Sequence, residues 1–360
     1  MPDLLLGVNV LTIFLTGSAG FLGGKLMWNL LSDTDHDLYM LVRDLERAQN
    51  VTENFPIEFQ NRIHLLQGDI TQPSCGLAES QIQSLQNKIH VFYHLAALVK
   101  FDLELRDEIF SVNYEGTKNA LELGKAILAE KFFYISTAYT VGKKAEGKEQ
   151  LYSIDDEYNN PYEESKAKSE HLAFSYANEM DVSIFRPSII VGDSKTGEAD
   201  SKFTLYGFMR ALEIFKRRVL RNKENERKTY RVIAHEDGTS NFVPVNYVAD
   251  ILSLAATKAE PNKIYHITNP NPATNLQIFM MLKNALEFSQ LRIKGPGNIA
   301  DLNEDEQKLN EMIQVFNPYL TSAIAFEDEN TRVLIKNSDI HHLHLTPETM
   351  QMIINAYFDL

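Results

Sequence analysis

The segment Thr16-Gly-Ser-Ala-Gly-Phe-Leu-Gly23 constrains this chain more than any other. It follows a short apolar run at 11–16 and leads into apolar residues at helical spacing over 21–31. A short apolar run bounded by glycine reads as a buried strand ending in a sharp turn. Gly17 is expected to make that turn, and Gly23 to let the new helix pack close to the sheet. Gly20 would let a pyrophosphate approach the backbone, where the free N–H groups and positive end of the helix favour an anion. The blander reading is a glycine-rich turn that only joins two elements.

The alternation continues through half the chain. Strands are expected at 37–43, 62–67, 90–96, 132–136 and 182–186, with helices at 78–86, 114–128 and 161–178. Strands alternating with helices imply parallel pairing, and hence an α/β fold with a Rossmann-type doubly wound parallel sheet. After residue 190 the rhythm becomes irregular, with helices at 203–217, 243–256, 275–287, 304–315 and 347–357 and a strand at 264–268. We expect a nucleotide-binding domain over 1–190, with 232–268 returning to it. A smaller C-terminal substrate-binding cap would come from 191–231 and 269–360.

Composition narrows the partners. With 360 residues, 44% hydrophobic and 23% charged, the chain can build a large core. Its net charge is −14, which repels nucleic acid and anionic membranes, so neither is expected as a partner. The apolar run over 4–15 lacks the basic flank of a signal peptide and is too short to span a bilayer. Residues 1–9 read as a loose leader. Cys75 is the one cysteine, so no internal disulfide forms, which suits a reducing cytoplasm. It lies in Thr71-Gln-Pro-Ser-Cys-Gly76, a turn, and is expected to be inert. His341-His-Leu-His344 reads as a surface cluster, and no metal site is expected.

The second strand ends Leu41-Val-Arg-Asp44, with Arg43 twenty residues past Gly23. At this position an acid binds a ribose 2′-OH and an arginine suits a 2′-phosphate. Arg43 therefore points to NADP(H), although Asp44 could serve NAD(H) and Arg43 could instead pair with a surface acid. Further cofactor contacts are expected from Ser18, Ala19, Phe21 and Leu22 in the turn. Asp69 and Ile70 follow the third strand, where an adenine edge would fall, and Leu95, Ala96 and Ala97 end the fourth, where small residues let a nucleotide pass.

Tyr162-Glu-Glu-Ser-Lys166 forms a second signal. Asn160-Pro161 before it is a good helix start, so Tyr162 and Lys166 share one helical face. An ammonium near a phenol is expected to lower its pKa, and such a tyrosine can give a proton to a carbonyl oxygen. A half-buried tyrosine with a surface lysine is the plainer alternative. Ser136 and Thr137 end the fifth strand, where open α/β sheets bind ligands; either hydroxyl could hold a carbonyl, or merely cap the strand.

Together these motifs resemble the extended short-chain dehydrogenase/reductase superfamily over about 11–268. The likeness also includes Val112-Asn113-Tyr-Glu-Gly-Thr117, Arg186-Pro187-Ser188 and Phe242-Val-Pro-Val245. It implies that Thr137, Tyr162 and Lys166 are catalytic with Asn113 in support. Lys166 would also hold the nicotinamide ribose, and the stretch from Pro187 through Ser188 to Ile190 would run along the nicotinamide. Within the superfamily, Leu41-Val-Arg43, Ile135-Ser-Thr-Ala-Tyr139 and Gly192-Asp-Ser-Lys-Thr-Gly197 look like the branch of fatty acyl-CoA reductases and carrier-protein thioester reductases. Dimers are common in the superfamily, and no pattern in this chain requires a homodimer.

The expected activity is NADP(H)-dependent reduction of a small-molecule carbonyl or acyl thioester, with tyrosine as proton donor. The basic stretch of Lys216, Arg217, Arg218, Arg221, Lys223, Arg227, Lys228 and Arg231 could meet a phosphate of such a substrate, or be a solvated surface. A nucleotide-sugar epimerase retaining NAD is opposed by Arg43, and a dehydratase by Ala138 and Tyr139, which stand where acids would be needed. A non-catalytic NADP-binding protein is opposed by the presence of both Tyr162 and Lys166.

Overall fold

Seven parallel strands form the central sheet of the computed structural model, which describes residues 10–199, 204–221, 228–297 and 301–358. They are β1 (Thr12–Thr16), β2 (Asp37–Val42), β3 (Ile63–Gln67), β4 (Val91–His94), β5 (Lys131–Ile135), β6 (Asp181–Pro187) and β7 (Ile264–Ile267). Their spatial order is β3-β2-β1-β4-β5-β6-β7. The order reverses between β1 and β4, the place where doubly wound sheets open a ligand crevice. Register brings the carboxyl ends level, with Thr16 facing Leu41 on one side and His94 on the other.

Strand side chains alternate between faces, and both faces are covered. Five helices flank the sheet and carry or support the site residues: α1 (Phe21–Ser32), α2 (Leu45–Thr52), α3 (Gly116–Ala126), α4 (Pro161–Phe174) and α5 (Val245–Lys258). Ile13, Leu15, Tyr93 and Phe133 pack with Leu26 and Leu30 of α1 and Val248 and Leu252 of α5. Phe14, Phe92, Phe132 and Ile184 pack on the opposite side with Leu121 and Leu123 of α3 and Ala173 of α4. Phe14, Phe92 and Phe132 form a ring row across three strands, with centroids 4.6 and 5.0 Å apart.

A third cluster lies beyond the carboxyl ends. It begins at Tyr139 and Ile189, which follow β5 and β6, and includes Met209, Phe215, Tyr230, Phe288 and Ile353. Here the chain departs from expectation. Tyr230–Ile233 pairs with Leu291–Lys294 inside this outer cluster, and the chain pairs with the central sheet again at Ile264–Ile267. Helix Glu329–Ile335, expected in the cap, instead packs Leu334 and Ile335 on the α5 face. Two more small parallel pairs, Phe242–Pro244 with Ile189–Val191 and Ala325–Phe326 with Glu146–Gly147, join distant segments and carry no local signature.

Other boundaries shift for local reasons. The helix expected at 114–128 is continuous with a π turn at Ser111–Glu115 and a helical turn at Arg106–Phe110, whose exposed Arg106, Asp107 and Glu108 hide any apolar period. Expected helix 161–178 ends at Phe174, and expected helix 203–217 runs Leu205–Val219, residue 203 lying outside the described residues. Among the described residues no helix is long and apolar enough to cross a membrane.

Candidate cofactor and active site

The glycine turn closes against the end of β4. Gly17 has φ +76°, and a Cβ there would lie 2.6 Å from the Ala96 nitrogen, so only glycine fits. A Cβ on Gly23 would lie 2.2 Å from the Gly17 carbonyl oxygen, which is the close helix packing expected of that position. Gly20 differs: it is exposed and crowded only by the Gly17 oxygen at 3.3 Å. It caps α1 with no side-chain acceptor, and the first turn has no acid. The first N–H groups of α1 are thus left for an external anion, and the buried Ser18 hydroxyl lacks a partner among the described residues. These features fit a dinucleotide pyrophosphate held by Gly17 through Gly23.

At the end of β2 the two candidate ribose residues separate. Asp44 caps α2, its Oδ1 accepting from the Arg47 amide at 2.9 Å. Arg43 is exposed at the end of β2. Asp69 accepts from the amide and hydroxyl of Thr71, each at 2.9 Å, and Ile70 packs under Gly116. Leu95, Ala96 and Ala97 are partly exposed after β4. Pro187 ends β6, Ser188 is buried with an unpartnered hydroxyl, and Ile190 is partly exposed. All these residues gather at the carboxyl edge.

Of the two hydroxyls after β5, the structure engages one. Ser136 donates to Glu170 Oε1 at 2.5 Å, and Glu170 is held by Arg186 through Nε at 2.8 Å and Nη2 at 2.6 Å. Arg186 and Glu170 are 0% and 1% exposed, a pair that the sequence alone does not reveal. Thr137 Oγ1 accepts from the Tyr139 amide at 3.3 Å and has no acceptor for its own hydrogen among the described residues.

Helix α4 starts as expected, with Asn160 Oδ1 accepting from the Glu163 amide at 3.0 Å. Lys166 is buried, donates to the Ile135 carbonyl at 2.6 Å and lies over the Tyr134 ring at 4.6 Å. Burial lowers its pKa to about 7, opposed by Glu170. Tyr162 meets Phe101 edge-on at 5.9 Å. The expectation that Lys166 lowers the Tyr162 pKa is corrected: burial, then Glu163, push it above its ordinary value. Desolvation disfavours the phenolate more than a lysine engaged with a carbonyl favours it. Asn113 lies in the π turn, accepting from the Leu98 amide at 2.7 Å and donating to Ser165 Oγ at 3.0 Å, which anchors the turn to α4.

Glu163 is more than a first-turn acid. It is buried, accepts from the Asn159 amide and from Tyr319 Oη at 2.8 Å, and burial raises its pKa to about 7. Nothing in the sequence signals Tyr319, which comes from the irregular second half. His94 is also structural, joining Thr16 at 2.8 Å and Thr117 at 3.1 Å, and burial pushes its pKa down to about 3. Cys75 is buried in its turn with its thiol pushed up to about 12 by burial, as suits an inert residue. His342 pairs with Asp328 at 2.6 Å, and among the described residues no three metal-ligating side chains gather. In the basic stretch, Arg217 pairs with Glu213 near the surface and Arg231 pairs with the buried Glu306, while Lys223 and Arg227 lie outside the described residues.

A family model described as "Male sterility protein", of an NAD-binding kind, matches residues 15–252. The chain belongs to that family. The resemblance to fatty acyl-CoA reductases and carrier-protein thioester reductases is borne out. A linear gramicidin synthase subunit of Brevibacillus parabrevis is 25% identical over 288 residues, covering 75% of this chain and 5% of that protein. Fatty acyl-CoA reductase wat of Drosophila melanogaster is 25% identical over 221 residues, covering 50% of this chain and 43% of that protein. The chain thus spans less than half the length of these two relatives. Among solved structures, the terminal R domain of the myxalamid PKS-NRPS pathway superposes with a TM-score of 0.78 at 22% identity, covering 96% of this chain and 90% of that one. The UDP-glucose 4-epimerase of Thermus thermophilus in complex with NAD gives 0.64 at 19%, covering 96% and 99%. These structural likenesses establish a shared fold, and the family is an NAD-binding one.

Proposed function

We propose that this protein is an NADP(H)-dependent reductase of an acyl thioester or aldehyde, working at the carboxyl edge of the sheet with Thr137, Tyr162 and Lys166. The observation that carries the reading is the Tyr162 phenol set one helical turn before Lys166, which is buried and bonded to the Ile135 carbonyl at the end of the strand that leads to Thr137. A protonated phenol is the form needed to donate to a carbonyl oxygen.

A bound nicotinamide cofactor supplies the hydride. Gly17 through Gly23 would hold its pyrophosphate and Arg43 its 2′-phosphate, with Asp44 withdrawn to the α2 cap. Asp69, Ile70 and Leu95 through Ala97 would border the adenine side, with Pro187, Ser188 and Ile190 along the nicotinamide. Lys166 would hold the ribose after leaving the Ile135 carbonyl. Thr137 would donate its hydrogen to the substrate oxygen, and Tyr162 would deliver a proton there. Asn113 keeps the π turn fixed to α4. For a thioester, collapse of the protonated adduct would release a thiol and leave an aldehyde.

The outer cluster would be the substrate cap. Its apolar cavity of about 50 Å³, lined by Leu205, Phe208, Phe242, Ile278, Phe279 and Tyr319, would take the end of an aliphatic acyl chain. The direct test is NADPH consumption with decanal and with decanoyl-CoA, with products identified by mass. Turnover of either supports the reading. Turnover of neither, or NAD that copurifies and resists removal, contradicts it.

A further inference from the structure

Tyr319 is at once a wall of the apolar cavity and a partner of the first turn of α4. Its hydroxyl donates to Glu163 Oε1 at 2.8 Å and accepts from Asn160 Nδ2 at 2.9 Å. Asn160 is the cap of α4, and Glu163 adjoins Tyr162. The Tyr319 ring also meets Tyr139 edge-on at 5.0 Å and Phe101 at 5.7 Å, and Phe101 meets Tyr162. Tyr319 thus stands at the junction of the apolar cavity and the α4 cap.

We infer that Tyr319 is a positioning residue: its hydroxyl, bonded to Glu163 and Asn160, couples an aliphatic chain in the outer cavity to the placement of the Tyr162 phenol. The inference rests on the proposed reductase reading only for its catalytic consequence, since the coupling itself is a property of the chain. Glu163 is 0% exposed and accepts from the Asn159 amide and side chain as well as from Tyr319. A buried carboxylate with this many donors is held in one geometry, so a shift of Tyr319 is passed to the turn bearing Tyr162. Burial and the Glu163 carboxylate raise the Tyr319 pKa, which keeps its hydroxyl a donor.

The test uses the full chain labelled with tyrosine carrying ¹³C at Cζ, with the Tyr162 signal assigned by Tyr162→Phe. Decan-1-ol is titrated into wild type and Tyr319→Phe. Wild type is expected to bind decanol with a shift of the Tyr162 signal. Tyr319→Phe is expected to bind it within about twofold of wild-type affinity but with the Tyr162 shift lost. Because the phenylalanine ring preserves the cavity wall, a merely structural role would leave that shift in place. Absence of decanol binding, binding without a Tyr162 shift in wild type, or a shift that survives Tyr319→Phe would each overturn the inference.

Turnover gives a second readout. Tyr319→Phe is expected to lower kcat on decanal about tenfold with KM within about twofold. A change in KM alone overturns the positioning role. If no carbonyl is turned over by wild type, the reductase reading fails, and the decanol titration still decides the coupling.

Discussion

The Ser136 hydroxyl is bonded to the Glu170 carboxylate at 2.5 Å, while the hydroxyl of the next residue, Thr137, accepts from the Tyr139 amide and donates to no group among the described residues. Two adjacent hydroxyls at one strand end therefore have different duties. Thr137→Ala is expected to lower kcat by roughly 10²–10³, the effect of deleting one donor to a developing oxyanion. Ser136→Ala should cost about 1–3 kcal/mol of stability, because it removes a buried bond to a charged group, and should leave kcat within a few-fold. Steady-state kinetics and urea unfolding of both variants check this. Equal kinetic losses would contradict the division.

Cofactor choice is expected to follow Arg43. Arg43→Ala should weaken NADPH by about tenfold or more, as loss of a charge-assisted contact does, and leave NADH unchanged. Asp44→Ala should cost about 1 kcal/mol through the lost α2 cap, without weakening NADH. Fluorescence titration with both nucleotides tests it. NADH affinity that falls in Asp44→Ala would mean that Asp44 serves a ribose after all.

The Arg186–Glu170 pair carries a stability expectation. Glu170→Gln leaves a fully buried guanidinium without its counter-charge and should destabilise the fold by about 3–5 kcal/mol. Replacing both partners with apolar residues should recover only part of that loss, since neither charge is then buried alone but Ser136 and the Lys148 and Gln150 carbonyls lose their partners. Denaturant midpoints of the single and double variants make the comparison.

The sheet is legible in the sequence because β1 through β6 are apolar runs between turn residues, and the crossover helices keep a period. The glycine turn is equally legible, since Gly17 and Gly23 are dictated by contacts that any side chain would break. What escapes is non-local. Tyr319 reaches Glu163 across 156 positions, and no local pattern encodes that bond. Glu170 falls one turn after Lys166 on α4, but its partner Arg186 lies on another element. The Tyr162 shift runs opposite to what its spacing from Lys166 suggests, because spacing along a helix gives proximity and says nothing about desolvation.

Glu149 should make stability pH-dependent. Its carboxylate accepts from the His266 and Asn330 amides, and burial raises its pKa from 4.5 to about 7. Between those values the folded protein holds a proton that the unfolded chain has released, so this group's contribution is full below the lower value and lost as pH rises through the upper one. Glu149→Gln cannot lose that proton. The Tm of the variant relative to wild type is therefore expected to rise from about pH 5 to about pH 7.5. A difference that is constant with pH would contradict the assignment.

The most direct test of the central claim is Tyr162→Phe, assayed for NADPH consumption on decanal and decanoyl-CoA with NADPH affinity measured in parallel. The account expects unchanged NADPH affinity and a loss of turnover of roughly 10²–10⁴, because only the transferable proton is deleted. Turnover equal to wild type would contradict the role of Tyr162 as the proton donor.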